Sequence, residues 1–132
     1  MTQAKTPGQA FFDKHLERIG AGEIDAMVDS DYTPDAVLIT FFNGFDDEEP
    51  PMTVKGREGI KAFFHKYMSV IGAIDVKKID FTDNFDGKEG SIFFQAEFTC
   101  DLGLMKVGDA WTMKDGQIFI HYGFWASDKP KK

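Results

Sequence analysis

Apolar and polar residues alternate most regularly between residues 104 and 114. Alternate side chains of a strand point to opposite faces of a sheet, so this pattern predicts a strand with one apolar face. Asp109 lies on that face among four apolar residues, Met105, Val107, Trp111 and Met113. A carboxylate in apolar surroundings either finds a hydrogen-bond partner or takes up a proton. We therefore expect a polar partner for Asp109 elsewhere in the chain.

Apolar residues spaced three and four apart predict three helices, over residues 8–20, 23–31 and 56–71. In the first helix, His15 shares its stripe with Phe12 and should face the core. The third helix has the widest apolar stripe, which includes Phe64 and Tyr67. So wide a stripe must lie across a sheet.

Five strands are predicted, over residues 35–43, 74–81, 91–101, 104–114 and 117–126. Short glycine-containing turns join the last four strands, so these should be antiparallel neighbours. Lys77 and Lys78 interrupt the alternation of the second strand, which indicates a bulge. Residues 46–51 are acidic and end in two prolines, as expected of a solvated loop.

This order of elements is typical of an α+β domain with its helices on one face of a bent sheet. We expect a cone-shaped, curved antiparallel (mixed) sheet wrapped around the N-terminal helices, with an internal pocket. A chain of 132 residues fits a single domain over residues 1–132. Its ordered core should span about residues 7–127, with flexible ends.

Composition and charge narrow the choice of ligand and location. The 14 phenylalanines suggest a pocket with aromatic walls, which would favour an apolar ligand. With 22 acidic and 15 basic residues the formal charge is -7, so a nucleic acid partner is not expected. One cysteine, no secretory leader and no long apolar run favour a cytoplasmic protein without membrane contact.

The sequence gives no sign of a metal or a cofactor. No histidines are spaced as metal ligands on one helical turn, and no glycine-rich phosphate loop is present. Cys100 shares an apolar phase with Phe94 and Phe98, so it should be a small buried hydrophobic residue rather than a nucleophile.

Four short segments carry a resemblance to a known family: GEIDAMV at 22–28, YTPDAV at 32–37, VKGREGI at 54–60 with Phe63 and Phe64, and DGQI at 115–118 leading to Phe124 and Trp125. In order and spacing the chain resembles the nuclear transport factor 2-like superfamily, which includes the SnoaL-like polyketide cyclases and ketosteroid isomerase. The resemblance implies a cone-shaped α+β fold and a homodimer formed through the outer face of the sheet. It does not imply one activity, because this fold hosts several enzymes and also non-catalytic domains.

Aligned with ketosteroid isomerase, the resemblance places His15 at the position of the tyrosine of the oxyanion hole, and Asp109 at that of the protonated aspartate. The position of the catalytic base is Thr40 here, and Phe64 replaces the supporting tyrosine. Classical ketosteroid isomerisation is therefore not expected.

Two histidines and one aspartate are the candidate catalytic residues: His15, Asp109 and His121, whose strand phase includes Gly123. We expect His15 and Asp109 to pair and polarise a carbonyl oxygen, with His121 as the base. The expected ligand wall consists of Thr40, Phe64, Tyr67, Trp111, Phe119 and Trp125. A purely structural role is open for each histidine and for Asp109.

The predicted function is binding of a small apolar or carbonyl-containing molecule, with isomerase-type or cyclase-type acid–base chemistry next to a carbonyl. The alternative is a non-catalytic domain of the same fold, which binds a ligand or serves as a dimeric interaction module. The missing aspartate and tyrosine of the isomerase favour this alternative.

Overall fold

A computed structural model describes residues 5–42 and 44–125, with side chains as far as Gly123. Its elements in chain order are α1 (Pro7–Gly20), α2 (Ile24–Asp31), β1 (Tyr32–Thr40), β2 (Met52–Lys55), α3 (Gly56–Ile71), β3 (Asp75–Asp83), β4 (Gly90–Cys100), β5 (Gly103–Lys114) and β6 (Gln117–Trp125). Apart from Lys5 and Thr6, the ends that we expected to be flexible lie outside the described residues.

The strands form one mixed sheet in the order β2-β1-β6-β5-β4-β3. Strands β3 to β6 are the antiparallel meander expected from their short turns, while β1 pairs with β6 in parallel. The α+β class is confirmed. The sequence did not predict β2, because it has only four residues and buries only Met52.

The helix α1 begins at a sequence signal for a helix start. The Thr6 hydroxyl accepts a hydrogen bond from the Gln9 backbone N–H at 3.1 Å, and Pro7 occupies the first turn. Phe12 and His15 are buried on the face that packs inward. The predicted orientation of His15 is therefore confirmed.

No residue separates α2 from β1, because the helix ends at Asp31 and the strand begins at Tyr32. Both side chains are buried, at 3% and 0% exposure. The Arg57 side chain donates to the Tyr32 carbonyl oxygen at 2.9 Å, which fixes the junction from α3. The predicted strand began three residues later, so the sequence missed this direct connection.

Strand register brings polar residues together on the face that packs against the helices. Gly123 pairs with Thr40 on one side and with Asp109 on the other. His121 occupies the adjacent row, where it pairs with Leu38 and Trp111. Thr40, Asp109 and His121 therefore lie in two neighbouring rows of three strands.

Two bulges decide which side chains face inward. The β3–β4 register shifts between Val76 and Lys78, so the bulge predicted at Lys77 is confirmed. A second shift, between Thr112 and Met113, leaves Phe119 of β6 as the extra residue.

The second bulge corrects the predicted position of Phe119. Ile118 is fully buried instead, and the Phe119 ring lies 5.0 Å from the ammonium nitrogen of Lys114. A lysine and a partly buried ring place this side chain away from the inner face. Phe119 therefore does not share the inward phase of His121.

The core forms two clusters between the helices and the sheet. The larger one surrounds Trp111, and the smaller one includes Phe42, Phe45 and Phe98. Each fully buried large apolar side chain contributes about 1.5–3 kcal/mol. No helix of the described residues is long and apolar enough to cross a lipid bilayer.

The acidic loop is exposed over residues 46–51, as predicted, but it is anchored. Lys66 of α3 donates to Asp47 at 2.7 Å and to Glu48 at 2.6 Å. The same ammonium group lies 4.4 Å from the Phe45 ring centroid. The loop is thus fastened to the helix that covers the sheet.

Gly90, at the β3–β4 turn, and Gly103, at the β4–β5 turn, both have a positive φ but differ in how closely other atoms approach them. At Gly90 (φ 122°) an added Cβ would lie 2.6 Å from the Asn84 carbonyl oxygen, whereas at Gly103 (φ 102°) nothing lies within 4 Å. We expect Gly103→Ala to lower the free energy of unfolding by about 1–3 kcal/mol through backbone strain. Gly90→Ala should lower it further, as measured by urea denaturation. Equal losses would show that the turn yields to the added methyl group.

Candidate active site

A cavity of about 150 Å³ lies between α1, α3 and the inner face of the sheet. Most of its lining side chains are apolar, including Phe12, Phe64 and Trp111. Five polar side chains also line it: His15, Thr40, Tyr67, Asp109 and His121. A mainly apolar cavity with a few converging polar groups is the usual form of a ligand site.

The first polar group of the site is a hydrogen-bonded chain of three charged or titratable residues, of which His15 and Asp31 are buried and Arg18 is partly exposed. His15 Nδ1 lies 2.9 Å from Asp31 Oδ2, and Arg18 donates to Asp31 Oδ1 at 2.8 Å. His15 and Arg18 are three residues apart, so they lie on the same side of α1. Asp31 ends α2 and thus bridges the two helices. Both of its carboxylate oxygens are hydrogen-bonded.

Burial sets the protonation of His15. Removal from water lowers the pKa of the His15 imidazole, and this outweighs the hydrogen bond and charge of Asp31, which act to raise it. The ring is therefore neutral at neutral pH. Its proton sits on Nδ1, where it is donated to the carboxylate, because a carboxylate only accepts. Nε2 then carries a free lone pair, and it has no hydrogen-bond partner among the described residues.

A second chain holds His121. Its Nε2 lies 2.8 Å from Asp109 Oδ1, and its Nδ1 lies 2.8 Å from the Tyr32 hydroxyl oxygen. Burial raises the pKa of Tyr32 well above the ordinary value, so the phenol keeps its proton. With a neutral ring, Tyr32 donates to Nδ1 and Nε2–H donates to Asp109. Both ring nitrogens of His121 are thus engaged within the protein.

The missing side chain of Gly123 leaves space between two polar groups. A Cβ at this position would lie 3.1 Å from Asp109 Oδ1 and 3.4 Å from Thr40 Oγ1. Thr40 Oγ1 already accepts the Phe42 backbone N–H at 3.2 Å, which leaves its own hydroxyl proton to donate elsewhere. This part of the cavity therefore offers a hydroxyl donor beside a carboxylate.

Aromatic rings surround both histidines. The Trp111 ring centroid is 4.6 Å from that of His15 and 5.7 Å from that of His121. Trp111 Nε1 is buried and has no hydrogen-bond partner among the described residues. On α3, burial also raises the pKa of Tyr67, so its phenol is a donor. Low polarity around these groups strengthens each hydrogen bond they make.

The structure brings the predicted trio to one cavity but corrects its pairing. His15 bonds to Asp31 rather than to Asp109, and Asp109 bonds to His121. The direct α2–β1 junction explains the difference, because it carries Asp31 to α1. His121 does face the cavity, but neither of its nitrogens is free.

The six residues expected to form the ligand wall differ in where the structure places them. Thr40, Phe64, Tyr67 and Trp111 line the cavity. Phe119 is displaced by the bulge, as described above. The Trp125 side chain lies outside the described residues.

Three residues of the site were not predicted from the sequence: Arg18, Asp31 and Tyr32. Arg18 had a detectable signal, since it follows His15 by one helical turn. Asp31 and Tyr32 stand at a polar interruption before the first strand, but the sequence does not show that they are buried. Among the described residues, no group of three metal-ligating side chains converges.

Comparison with known proteins identifies the fold. No protein-family model matches the sequence, and no curated protein matches it. Among solved structures, an NTF2-like protein from Anabaena variabilis ATCC 29413 superposes with a TM-score of 0.69 at 16% identity, over 100% of this chain and 98% of that chain.

Two further solved structures have names that include an activity. A candidate polyketide cyclase from Pseudomonas putida KT2440 has a TM-score of 0.66 and 14% identity, with 96% of each chain covered. A candidate isomerase from Bacillus subtilis has a TM-score of 0.63 and 12% identity, over 90% of this chain and 86% of that chain. The nuclear transport factor 2-like fold implied by the sequence is therefore confirmed.

The depressed pKa of His15 predicts how stability depends on pH. In the unfolded chain the imidazole titrates near pH ~6.5, whereas in the folded protein it resists protonation until lower pH. The unfolded chain therefore binds more protons as the pH falls below about 6.5, and the free energy of unfolding falls with it.

His15→Gln should reduce this pH dependence, because an amide does not titrate. Urea denaturation at a series of pH values between neutral and mildly acidic would measure it. The same pH dependence in His15→Gln and wild type would contradict a buried neutral His15.

Proposed function

We propose that this protein is an enzyme that moves protons next to a carbonyl group of a small apolar molecule, as in isomerisation or aldol-type cyclisation. One observation carries the proposal: His15 lines the cavity as a neutral imidazole, oriented by Asp31, with Nε2 left free. An oriented histidine with one free nitrogen is suited to act as a general base.

His15 rather than His121 is the base in this proposal. His121 would have to break a bond to Tyr32 or to Asp109 before accepting a substrate proton. The role first expected for His121 therefore passes to His15. His121 and Asp109 instead supply a fixed polar wall opposite the base.

The reaction starts when His15 Nε2 takes a proton from the carbon beside the carbonyl, which leaves an enolate. The hydroxyl groups of Thr40 and Tyr67 are the cavity donors for the enolate oxygen. In an isomerisation, His15 returns the proton to another carbon. In an aldol cyclisation, the enolate carbon attacks a second carbonyl, and the new alkoxide takes the proton.

The fold is compatible with this chemistry. Proteins of the same fold include the candidate polyketide cyclase and the candidate isomerase described above. Their likeness to this chain shows that the fold is compatible with this reaction class, and the arrangement of His15 favours it.

The alternative is a non-catalytic domain that binds a ligand in the same cavity. Thr40 at the position of the isomerase base and Phe64 in place of its supporting tyrosine favour it. This alternative predicts that the protein binds a ligand in the cavity but does not transfer a proton.

Exchange of hydrogen for solvent deuterium tests the proposal without knowledge of the product. Simple ketones such as acetophenone and 2-indanone would be incubated with the protein in deuterated water, and loss of the proton signal beside the carbonyl would be followed by NMR. His15→Gln should lower the exchange rate by about 10²–10⁴-fold, the usual contribution of a general base. Asp31→Asn should lower it less, because the base remains but loses its orientation.

His65→Gln serves as the matched control, since His65 is exposed on α3 and pairs with Asp25 at the surface. It should keep the wild-type rate. Circular dichroism of each variant establishes that it is folded. Exchange that survives intact in folded His15→Gln would contradict the assignment of the base, and ligand binding with no exchange in the wild type would favour the alternative.

We also propose that the protein forms a homodimer through the outer face of the sheet. One row on this face runs across four strands through Phe93, Ala110, Tyr122 and Ile39. Phe93 and Tyr122 are 39% and 40% exposed. An apolar row of this kind is typical of an interface.

Tyr122→Glu should convert the dimer into a monomer, because it places a charge in the middle of this row. Size-exclusion chromatography with light scattering at micromolar concentration gives the mass. Val76→Glu, on an exposed residue of the inner face, is the control and should stay dimeric. A monomeric wild type would refute the interface.

A further inference from the structure

We propose that the cavity selects a neutral, ring-sized carbonyl compound, holds its oxygen at the polar end, directs its hydrocarbon part toward an opening beside β3, and rejects carboxylates. This inference deepens the proposed function and rests on the same site. It concerns which molecules bind and in which orientation.

Polarity is segregated along the cavity. Across β1, β6 and β5, the rows that contain Thr40, Asp109 and His121 are adjacent. The next row along the strands is apolar, with Val107 paired to Ala96 and Ala96 to Ile79 of β3. A ligand that satisfies both ends must have one polar end and one apolar end.

The charge of the cavity favours a neutral ligand. Asp109 is its one lining carboxylate among the described residues, and no lysine or arginine lines it. Arg18 is only partly buried, is hydrogen-bonded to Asp31 and does not line the cavity. An anionic ligand would therefore lose its hydration and meet a like charge without a counterion.

The cavity opens at the edge of the sheet. Val76 and Ile79 of β3 line it, yet they are 45% and 39% exposed. The bulge at Lys77 allows residues three apart to face the same side of the strand. Leu16 and Ile19 of α1 line the cavity from the helical side. The opening is thus apolar, so a hydrocarbon group fits there better than a charged one.

The volume limits the ligand to about one ring. A cavity of about 150 Å³ is of the size that holds benzene in an engineered protein core. A ring with a short side chain would fill it, and any longer chain would leave through the opening.

Binding of matched compounds to the full chain tests the charge selection. Acetophenone and benzoate share one ring and differ in charge, so we expect benzoate to bind at least about tenfold more weakly at pH 7.5 by calorimetry or NMR titration. Asp109→Asn should narrow this difference, because it removes the like charge.

The orientation is tested at the opening with butyrophenone, which adds two carbons to acetophenone. Ile79→Glu should weaken butyrophenone several-fold more than acetophenone, since only the longer chain reaches the new charge. Lys77→Glu, at the bulge between the two lining residues, is the matched control and should change neither affinity. Both sites are exposed, so folding should be retained.

Each result has a distinct meaning. Benzoate binding as tightly as acetophenone, or neither compound binding, would overturn the ligand class. Equal effects of Ile79→Glu on the two ketones would overturn the orientation. Selective ketone binding without deuterium exchange would sustain this inference while refuting the proposed catalysis.

Discussion

The structure depends on satisfying two carboxylates that lie among aromatic rings. Asp31 is held by His15 and Arg18, and Asp109 is held by His121. For the buried Asp31, loss of one partner would destabilise the fold by about 3–5 kcal/mol. The first pair fixes α2 against α1, and the second fixes β5 against β6. The elements that build the cavity are thereby placed by the same contacts that give it its chemistry.

Sequence patterns predicted those features that depend on local periodicity. The three helices, the meander of β3 to β6, the bulge at Lys77 and the inward face of Asp109 follow from spacing alone. The parallel pairing of β1 with β6 joins distant segments, and periodicity carries no information about it. The facing of Phe119 was predicted wrongly. One extra residue in a strand moves the side chains on one side of the bulge to the opposite face of the sheet.

The site was also predicted only in part, because periodicity shows which way a side chain faces but not which residue it bonds to. His15 and Asp109 revealed their facing by their position in an apolar pattern, whereas the expected facing of His121 rested on the family resemblance, because both phases of its strand are apolar. Their partners did not, because hydrogen bonds such as His15 to Asp31 depend on where separate elements meet. The role of Tyr32 was missed for the same reason. A tyrosine at the start of a strand is expected to be a core residue, and only the structure shows that its hydroxyl bonds to His121.

The cavity itself reduces stability. Relative to a filled core, a space of about 150 Å³ forgoes roughly 4 kcal/mol, at ~24 cal/mol per Å³. Gly123 helps to maintain this space, because even a methyl group there would crowd Asp109 and reach van der Waals contact with Thr40. A bound ligand would restore the lost contacts, so ligand binding and stability are coupled in this fold.

The direct junction of α2 and β1 constrains how this chain can change in evolution. Asp31 and Tyr32 are consecutive, yet they hold different histidines, His15 and His121. An insertion or deletion between them would rotate one side chain away from its partner, whichever segment stayed in place. The solvated loop at residues 46–51 is free of this restriction. Homologues that keep both histidine networks should therefore differ in length at that loop and be uniform in length at the junction.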